Sequence, residues 1–506
     1  MEEYAVTSVD GAFARSREQF ESIVAGLGSP ETGLVTHAEL EERIGCQGRE
    51  LLRCLFQDHL DLRTTREVRH TAVTGADAVV RRTVEPDHDR ALSSVFGQVR
   101  VTRMAYRARG SVNVYPADAA LNLPIEKHSH GLRRLAAVES VRGSFEAAGA
   151  AIGRVTGHDL GKRQVETLAR RAAVDIDAFY AARVPDCCPD GDVLVLSADG
   201  KGIVMRPEAL REPTRKAAAR DGHKLATRLS KGEKRNRKRM AEVGAVYDAT
   251  PAVRTPEDII TRTGGNPPAR RAKGPVARDK WLTASVEHDT TTVIAAVFDE
   301  ATRRDPGHHR PWLALVDGNA HQIEAIRAQA TRRGVTVAVV LDFVHVLEYL
   351  WKAAWSFYPE GDQAAEAWVA EHARRVLEGQ ASVAAAAIRR KATCQGLTTA
   401  QRTRADTAAS YLIRNRRHLD YAHALHQGWP IATGIIEGAC RHLVKDRMDI
   451  TGARWGLVGA EAILTLRALT SNGDFPEYWD FHLRQEHRRV HQTARHPHPR
   501  QLQLAA

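Results

Sequence analysis

Four acidic residues beside short apolar segments are the strongest candidates for chemistry in this chain. Asp199 follows the segment VLVLSA, Asp317 follows WLALV, Asp342 follows VTVAVVL, and Glu437 lies within GWPIATGIIEGACRHLVKDR. A carboxylate at the mouth of a buried strand is costly to desolvate, and its hard oxygen atoms are the ligands that Mg²⁺ prefers. We therefore expect these acids to hold divalent metal, and on a basic chain the natural target of that metal is a phosphodiester.

Two of the acids precede a glycine, Gly200 or Gly318, which permits a tight turn and close approach of a substrate backbone. Two carboxylates from neighbouring strands and a third from a helix can hold two Mg²⁺ ions about 3.5–4 Å apart, with Mn²⁺ as a substitute. Such a pair activates water or a 3′-hydroxyl for in-line displacement at phosphorus. The competing interpretation is an ordinary Asp-Gly turn, and Asp186, Asp192 and Glu287 are rival carboxylates.

Asp342 and His345 are three residues apart, so on a helix they share one face and can pair. A metal-ligand role is open for both. The alternative is that Asp342 caps a helix N-terminus, where the macrodipole favours an acid, with His345 packed nearby.

The elements that must position these acids alternate between strand and helix. Asp192–Ser197 reads as a buried strand that ends shortly before Asp199, and Ala241–Ala249 reads as another strand. The following alternation predicts a parallel part of an α/β sheet, whose ligands bind at the carboxyl ends of the strands. Its segments are strand Trp312–Val316, helix Gln322–Arg333, strand Thr336–Leu341 and helix Phe343–Trp355.

Other segments have simpler patterns. Helix is predicted for residues 12–62, with a Thr36/Glu39 capping box, for Leu282–Thr302 and for an all-helical block at 362–427. Residues 78–108 alternate apolar and polar side chains, as half-buried antiparallel strands do. The polar end HRRVHQTARHPHPRQ is predicted to be disordered.

The chain has 506 residues and a net charge of +11, which favours a polyanionic partner. It contains no apolar run long enough to span a membrane and no basic-then-apolar leader, so we expect a cytoplasmic protein without a membrane partner. Six scattered cysteines without a CxxC pair argue against a zinc ribbon and a disulfide framework, and favour reduced thiols.

Three basic regions are candidates for nucleic-acid contact. Two short helices split by TGHDLG resemble a helix-turn-helix whose second helix begins with Lys162 and Arg163, although any helical hairpin gives this pattern. Thirteen Lys or Arg residues and four acids lie between Arg206 and Arg239, which predicts a solvated loop able to neutralise phosphates. The third region follows Glu437. The candidate contacts in the last two regions are Lys231, Lys234, Arg235, Arg237, Lys238, Arg239, Arg441, Lys445 and Arg447.

Nearly the whole chain resembles one family. The segments that carry the resemblance are LSADGKGIVMR, LVDGN, LDFVHVLEYLW and GWPIATGIIEGACRHLVKDRMDITGARWGL, with FGQVRVTRMAYR, YPADAALNLP and HGLRRLAAVESVRGSFEAA in the N-terminal half. They resemble bacterial insertion-sequence transposases of the ISKra type, which are similar in turn to Mutator-like DDE transposases.

The resemblance implies an RNase H-like fold with an acid on the first strand, an acid after the fourth strand, and a glutamate on a helix beyond a helical insertion. Asp199, Asp317 and Glu437 match these positions. A Cys-or-Asp, two residues, then His motif after the fifth strand matches Asp342 and His345, which makes Asp342 a supporting residue. The three matched acids would then be catalytic and bind Mg²⁺, and the partners would be terminal inverted repeats and target DNA in the bacterial nucleoid. A homo-oligomer on DNA is also implied.

We therefore predict an α/β protein: an RNase H-like mixed sheet with flanking helices, an all-helical insertion and an N-terminal α+β DNA-binding region. The alternatives are an RNase H-like nuclease without strand transfer and a non-catalytic, transposase-derived DNA-binding regulator. The predicted segments are a helical region at 1–65, a small β-rich region at 66–130, a helix-turn-helix-like region at 131–185, the first part of the catalytic core at 186–358, the helical insertion at 359–428, the final part of the core at 429–475, and a basic tail at 476–506.

Overall fold

The computed structural model describes residues 9–184, 191–220, 237–261, 271–450, 452–492 and, as backbone, 501–504. The chain divides into two compact units, one of Met1–Ala182 with Asp474–Ala506 and one of Arg183–Gly473. None of the described helices is long and apolar enough to span a bilayer.

The strands are β1 His70–Thr74, β2 Val80–Arg81, β3 Thr83–Ser94, β4 Gly97–Arg107, β5 Val193–Val204, β6 Lys238–Thr250, β7 Val276–Ser285, β8 Trp312–Val316, β9 Val337–Leu341 and β10 Gln501–Leu504. The helices of the first half are α1 Val9–Ala12, α2 Ala14–Leu27, α3 His37–Thr65, α4 Pro116–Ala120, α5 His130–Arg142, α6 Phe145–Thr156, α7 Lys162–Ala172, α8 Ile176–Ala182, α9 Glu212–Arg220 and α10 Pro256–Ile259. Those of the second half are α11 Thr290–Arg304, α12 Ala320–Arg333, α13 Phe343–Ala354, α14 Gln363–Leu377, α15 Ala381–Cys394, α16 Thr399–Asn415, α17 Tyr421–His426, α18 Gly434–Ala439, α19 Asp446–Met448, α20 Leu457–Ser471 and α21 Phe475–His491.

The first unit combines helices with antiparallel strands. The capping box at the start of α3 is present, since the Thr36 side chain accepts from the Glu39 N–H and the Glu39 carboxylate accepts from the Thr36 N–H. Strands β3 and β4 form the predicted antiparallel pair. The two short helices around TGHDLG are also confirmed as α6, which is capped by Ser144, and α7.

The predicted disorder of the C-terminal segment is wrong for its first residues. Helix α21 continues to His491, whose ring lies 3.0 Å from the Leu123 carbonyl and is buried. Earlier in the helix, His482 meets Asp175 at 2.7 Å, and Arg489 also pairs with Asp175. These contacts join residues that are far apart in the sequence, so the polar composition of the C-terminal segment gave no indication of them. Residues 493–500 lie outside the described residues.

The second unit contains a five-stranded mixed sheet in the order β7-β6-β5-β8-β9, which makes this an α/β fold. β5, β6 and β7 pair antiparallel, whereas β5, β8 and β9 run parallel, as predicted for the alternating segments. Val195, Leu313 and Leu315 point to one face of this sheet, where they join the core formed by α13–α17. The predicted all-helical block is therefore confirmed and shares a core with the sheet.

One predicted helix is partly wrong. Residues 282–285, expected to begin a helix, end strand β7, and the helix α11 begins only at Thr290. Pairing along β6 fixes the extended conformation, and such pairing is invisible to local periodicity. The four described cysteines, Cys46, Cys54, Cys394 and Cys440, are free thiols as predicted, while Cys187 and Cys188 lie outside the described residues.

Candidate active site at the carboxyl end of the sheet

Three of the four acids lie at one edge of the five-stranded sheet. The parallel pairing of β5 and β8 ends at Ser197 opposite Leu315, and Asp199 and Asp317 each lie two residues further on. Asp342 follows Leu341, which pairs with Val316 at the end of β8. Since β8 runs between β5 and β9, the strand before Asp317 is hydrogen-bonded to the strand of Asp199. The strand before Asp342 is one step further away, about 4.8 Å.

Asp199 lies within its strand, whereas the sequence suggested the end of one. β5 continues to Val204 because β6 pairs with it along its whole length, with Gly200 opposite Glu242. Gly200 therefore makes no turn. A Cβ at Gly200 would lie 3.0 Å from Met240 Cε and 3.3 Å from a Glu242 carboxylate oxygen, and both atoms are at the ends of flexible side chains that can move aside.

Asp317 begins a tight turn that contains a glycine with positive φ and is held by two hydrogen bonds. Gly318 has a φ of +96°, and a Cβ there would come within 2.6 Å of the Leu341 side chain. The Asn319 N–H donates to Asp317 Oδ1 at 2.9 Å. The Tyr411 hydroxyl, from the helical block, donates to the Asp317 carbonyl at 3.3 Å. The predicted role of a glycine in a turn thus holds at Gly318.

Asp342 is completely buried and joins two helices. It caps its own helix α13, since Oδ1 accepts from the Val344 N–H at 3.0 Å. It also accepts from Thr433, through the N–H at 3.3 Å and the hydroxyl at 2.7 Å. Burial acts to raise the pKa of Asp342, but the nearby His345 ring and hydrogen bonds from Thr433 and the main chain outweigh it and hold that pKa below its ordinary value.

The predicted pair of Asp342 and His345 is present, with His345 Nδ1 3.9 Å from an Asp342 carboxylate oxygen. The neighbouring Asp342 carboxylate raises the pKa of His345 despite partial burial, and the charge of Asp317 contributes in the same direction. The capping role of Asp342 and its pairing with His345 therefore coexist.

Glu437 lies on the short helix α18, whose N-cap is Thr433. Partial burial and the neighbouring Asp342 carboxylate raise the pKa of Glu437, and the charge of Asp199 adds to the effect while His345 opposes it. The helix packs against β5 and β6. Glu437 therefore lies within electrostatic reach of both Asp342 and Asp199.

Cys440 follows Glu437 by three residues and is the link between this helix and β5. Its buried thiol lies 3.3 Å from Asp199 Oδ2, and burial together with the Asp199 charge raises the thiol pKa. Sequence reasoning missed Cys440, Thr433 and Tyr411. The one sequence signal for any of them is the three-residue spacing of Glu437 and Cys440, which places Cys440 on the same helical face as a candidate acid.

In the described parts of the chain, one group of three His, Cys, Asp or Glu side chains has ligand atoms within 4.8 Å of one another: Asp342, His345 and Glu437. The predicted set of Asp199, Asp317 and Glu437 does not meet that spacing. Asp342 is a weak candidate ligand because its oxygen atoms already accept hydrogen bonds from Val344 and Thr433.

The predicted basic contacts occupy different environments. Lys162, Arg163, Arg441 and Lys445 are exposed, whereas Arg447 is 3% exposed and lies over the Trp455 ring, 4.8 Å from its centroid. Arg447 is therefore too buried to contact a DNA phosphate at the surface, and its prediction as a phosphate contact is wrong.

The basic stretch before β6 is only partly described. Arg239 donates to the carbonyls of Ala209, Val286 and Glu287, so it is engaged with the protein itself. Arg237 and Lys238 are half-buried. Lys231, Lys234 and Arg235 lie outside the described residues.

The chain matches no protein-family model and no curated protein.

Proposed function

We propose that this protein is a DNA transposase of a bacterial insertion sequence, of the ISKra type, with an RNase H-like catalytic core. One observation carries the proposal: the order of the acids along the strands of the sheet. Asp199 lies on its first strand, Asp317 follows its fourth, Asp342 follows its fifth, and Glu437 comes on a helix after the helical block. This is the order expected for a DDE triad with a supporting Asp-x-x-His motif.

The chemistry of the donor set fits Mg²⁺. Asp199 and Asp317 are half-buried and Glu437 is exposed, and no lysine or arginine of the described residues forms an ion pair with any of them. Concentrated carboxylates without cationic partners are suited to a hard divalent ion. Asp199, Asp317 and Glu437 would hold Mg²⁺, or Mn²⁺ in its place, which when bound supplies an activated oxygen nucleophile and stabilises the leaving oxygen.

The remaining residues have supporting roles in this proposal. Asp342 fixes the start of the Glu437 helix through Thr433, and His345 has a ring nitrogen within 4.8 Å of a carboxylate oxygen of both Asp342 and Glu437. Glu437 is exposed, and the charges of both Asp342 and Asp199 act on its carboxyl group. Lys162, Arg163, Arg441 and Lys445 offer exposed cations for DNA phosphates, and binding through them would weaken as salt rises.

The proposal is tested with a supercoiled plasmid that carries the DNA flanking the gene on both sides. The wild-type protein should cut this plasmid in Mg²⁺. Asp199→Asn should lower the cleavage rate by at least about 10³-fold, the scale on which loss of a catalytic group acts, while DNA binding persists. Asp299→Asn is the matched control because Asp299 is an exposed acid paired with Arg333, and it should cleave as the wild type does.

Cleavage by Asp199→Asn at the wild-type rate would refute the assignment. Cleavage of the plasmid without joining of pre-cut ends to a target would identify an RNase H-like nuclease. Binding without Mg²⁺-dependent cleavage, with Asp317 and Glu437 tolerant of substitution, would identify a DNA-binding regulator. In the proposed reaction two DNA ends come together, so we expect a homo-oligomer on DNA, in the cytoplasm.

A further inference from the structure

The carboxylate of Asp199 is held from two sides. Its Oδ1 accepts from the Gly200 N–H at 2.6 Å, and its Oδ2 accepts from the Cys440 thiol, with Sγ 3.3 Å away. The thiol must be the donor, because an ionised carboxylate carries no proton. Cys440 is 5% exposed, so water does not compete freely for this contact.

Cys440 is presented by an unusual piece of helix. Residues Cys440–Lys445 form a π-helical turn between α18 and α19, a local widening that is frequent at functional sites. The carbonyl groups in and before the turn receive side-chain donors. His442 Nδ1 lies 2.6 Å from the Gly438 carbonyl, and Arg467 donates to the carbonyls of His442 and Leu443.

The helix that carries Glu437 and Cys440 connects the acids at the carboxyl end of the sheet. Glu437 and Cys440 lie on one face of the same helix, with Glu437 against Asp342 and His345 and Cys440 against Asp199. The helix therefore reaches from the end of β9 to the middle of β5. Without the thiol, the one donor left to the Asp199 carboxylate among the described residues would be the Gly200 N–H, and the carboxylate could rotate about its Cα–Cβ and Cβ–Cγ bonds.

We infer that Cys440 is a positioning residue for Asp199: its thiol fixes the orientation in which the carboxylate is offered to a divalent cation. The inference deepens the proposed function and rests on it for the role of Asp199. Hydrogen bonds to a ligating carboxylate orient it, and losing such a partner typically costs about 10–100-fold in metal affinity or activity.

The test uses the full-length protein and two readouts: Mn²⁺ binding followed by electron paramagnetic resonance, and nicking of supercoiled plasmid in Mn²⁺. Cys440→Ala should weaken Mn²⁺ binding and slow nicking, each by about 10–100-fold, with the thermal midpoint close to that of the wild type. Cys440→Ser keeps a donor and should recover most of both. Cys394→Ala removes an exposed thiol and should behave as the wild type.

Wild-type Mn²⁺ affinity and nicking rate in Cys440→Ala would overturn the inference, and so would a Cys440→Ser variant no better than Cys440→Ala. If Cys440→Ala does not fold, Cys440→Ser decides by comparison with Asp199→Asn: it should bind Mn²⁺ more tightly, and equal weakness would refute positioning by the thiol. A wild-type protein that binds Mn²⁺ but cuts no DNA would refute the proposed function alone. Absence of saturable Mn²⁺ binding would overturn both.

Discussion

Acids cluster at both ends of the five-stranded sheet, but the side chains that contact them differ between the two ends. At the amino end of β5 and β8, Asp248 pairs with Arg304 and Arg310, and Asp192 pairs with Arg278. At the carboxyl end, Asp199, Asp317, Asp342 and Glu437 have no lysine or arginine partner within ion-pair distance among the described residues. There the described contacts come from main-chain N–H groups, a threonine hydroxyl, a histidine and a thiol.

The difference separates two uses of buried charge. An acid paired with arginine contributes to the fold, and breaking such a pair leaves an uncompensated charge in the interior. An acid held only by neutral donors or a histidine keeps much of its negative potential, which remains available to a cation from outside. The comparison predicts that the arginine-paired acids at the amino end govern stability, whereas Asp199, Asp317 and Glu437 at the carboxyl end govern the proposed activity.

The largest expected effect on stability is at Asp248, which is completely buried. Asp248→Asn removes the charge between Arg304 and Arg310 and should lower the free energy of unfolding by about 3–5 kcal/mol. Urea unfolding followed by circular dichroism measures it. Asp317→Asn is the matched change at the other end and should shift stability by less than about 1 kcal/mol. Equal losses in the two variants would break the comparison.

A smaller effect is expected at Thr433, whose hydroxyl donates to buried Asp342 at 2.7 Å. Thr433→Val removes this donor and leaves the carboxylate under-satisfied, at a cost of about 1–3 kcal/mol in unfolding free energy. Thr433→Ser keeps the hydroxyl and should cost less. A valine variant as stable as the serine variant would show that Asp342 does not depend on this bond.

The smallest effect is a difference in pH dependence. The pKa of Glu437 is raised by burial and by Asp342, so the folded protein binds this proton more readily than the unfolded chain. Stability should therefore fall as pH rises from the ordinary Glu pKa through the raised one, and Glu437→Gln should remove that slope. Because Glu437 is exposed, solvent screens the effect to well below about 1.4 kcal/mol.

Asp305, near the amino end, provides the contrast for this measurement. Burial acts to raise its pKa, but hydrogen bonds from Trp312 and two main-chain N–H groups hold it below the ordinary value. Its contribution to stability is present above the ordinary Asp pKa and is lost as pH falls through the lowered one. Urea unfolding across this acidic range should thus give slopes of opposite sign for the two residues. Slopes of the same sign would contradict the assignment.

The parts of the fold predictable from sequence were those with strong local signals. Strands β8 and β9 are short apolar runs between helices, and they appeared within one residue of prediction. The extension of β5 past Asp199 was missed because Gly200 suggests a turn, whereas pairing with β6 keeps the chain extended. In such a strand, pairing with a distant strand decides the backbone conformation more strongly than the local sequence does.

The site shows the same limit. The acids could be chosen from their position after apolar runs, and the Asp342–His345 pair from helical spacing. The donors that hold the acids could not, because Cys440 reaches Asp199 across 241 residues and Thr433 reaches Asp342 across 91. Contacts between residues this far apart cannot be predicted from local patterns in a single sequence.

Two tyrosines of the helical block form hydrogen bonds to the main chain beside the acids, so the block is part of the site's support and not a separate insertion. Tyr411 donates to the carbonyl of Asp317 and Tyr421 to that of Leu341, at the ends of the two parallel strands β8 and β9. A minimal core made by excising residues 359–428 would lose both donors and lay open the apolar face that the block covers. The helical block thus supports the ends of the two strands that lead to Asp317 and Asp342, and a shortened chain that keeps these acids in place must retain it.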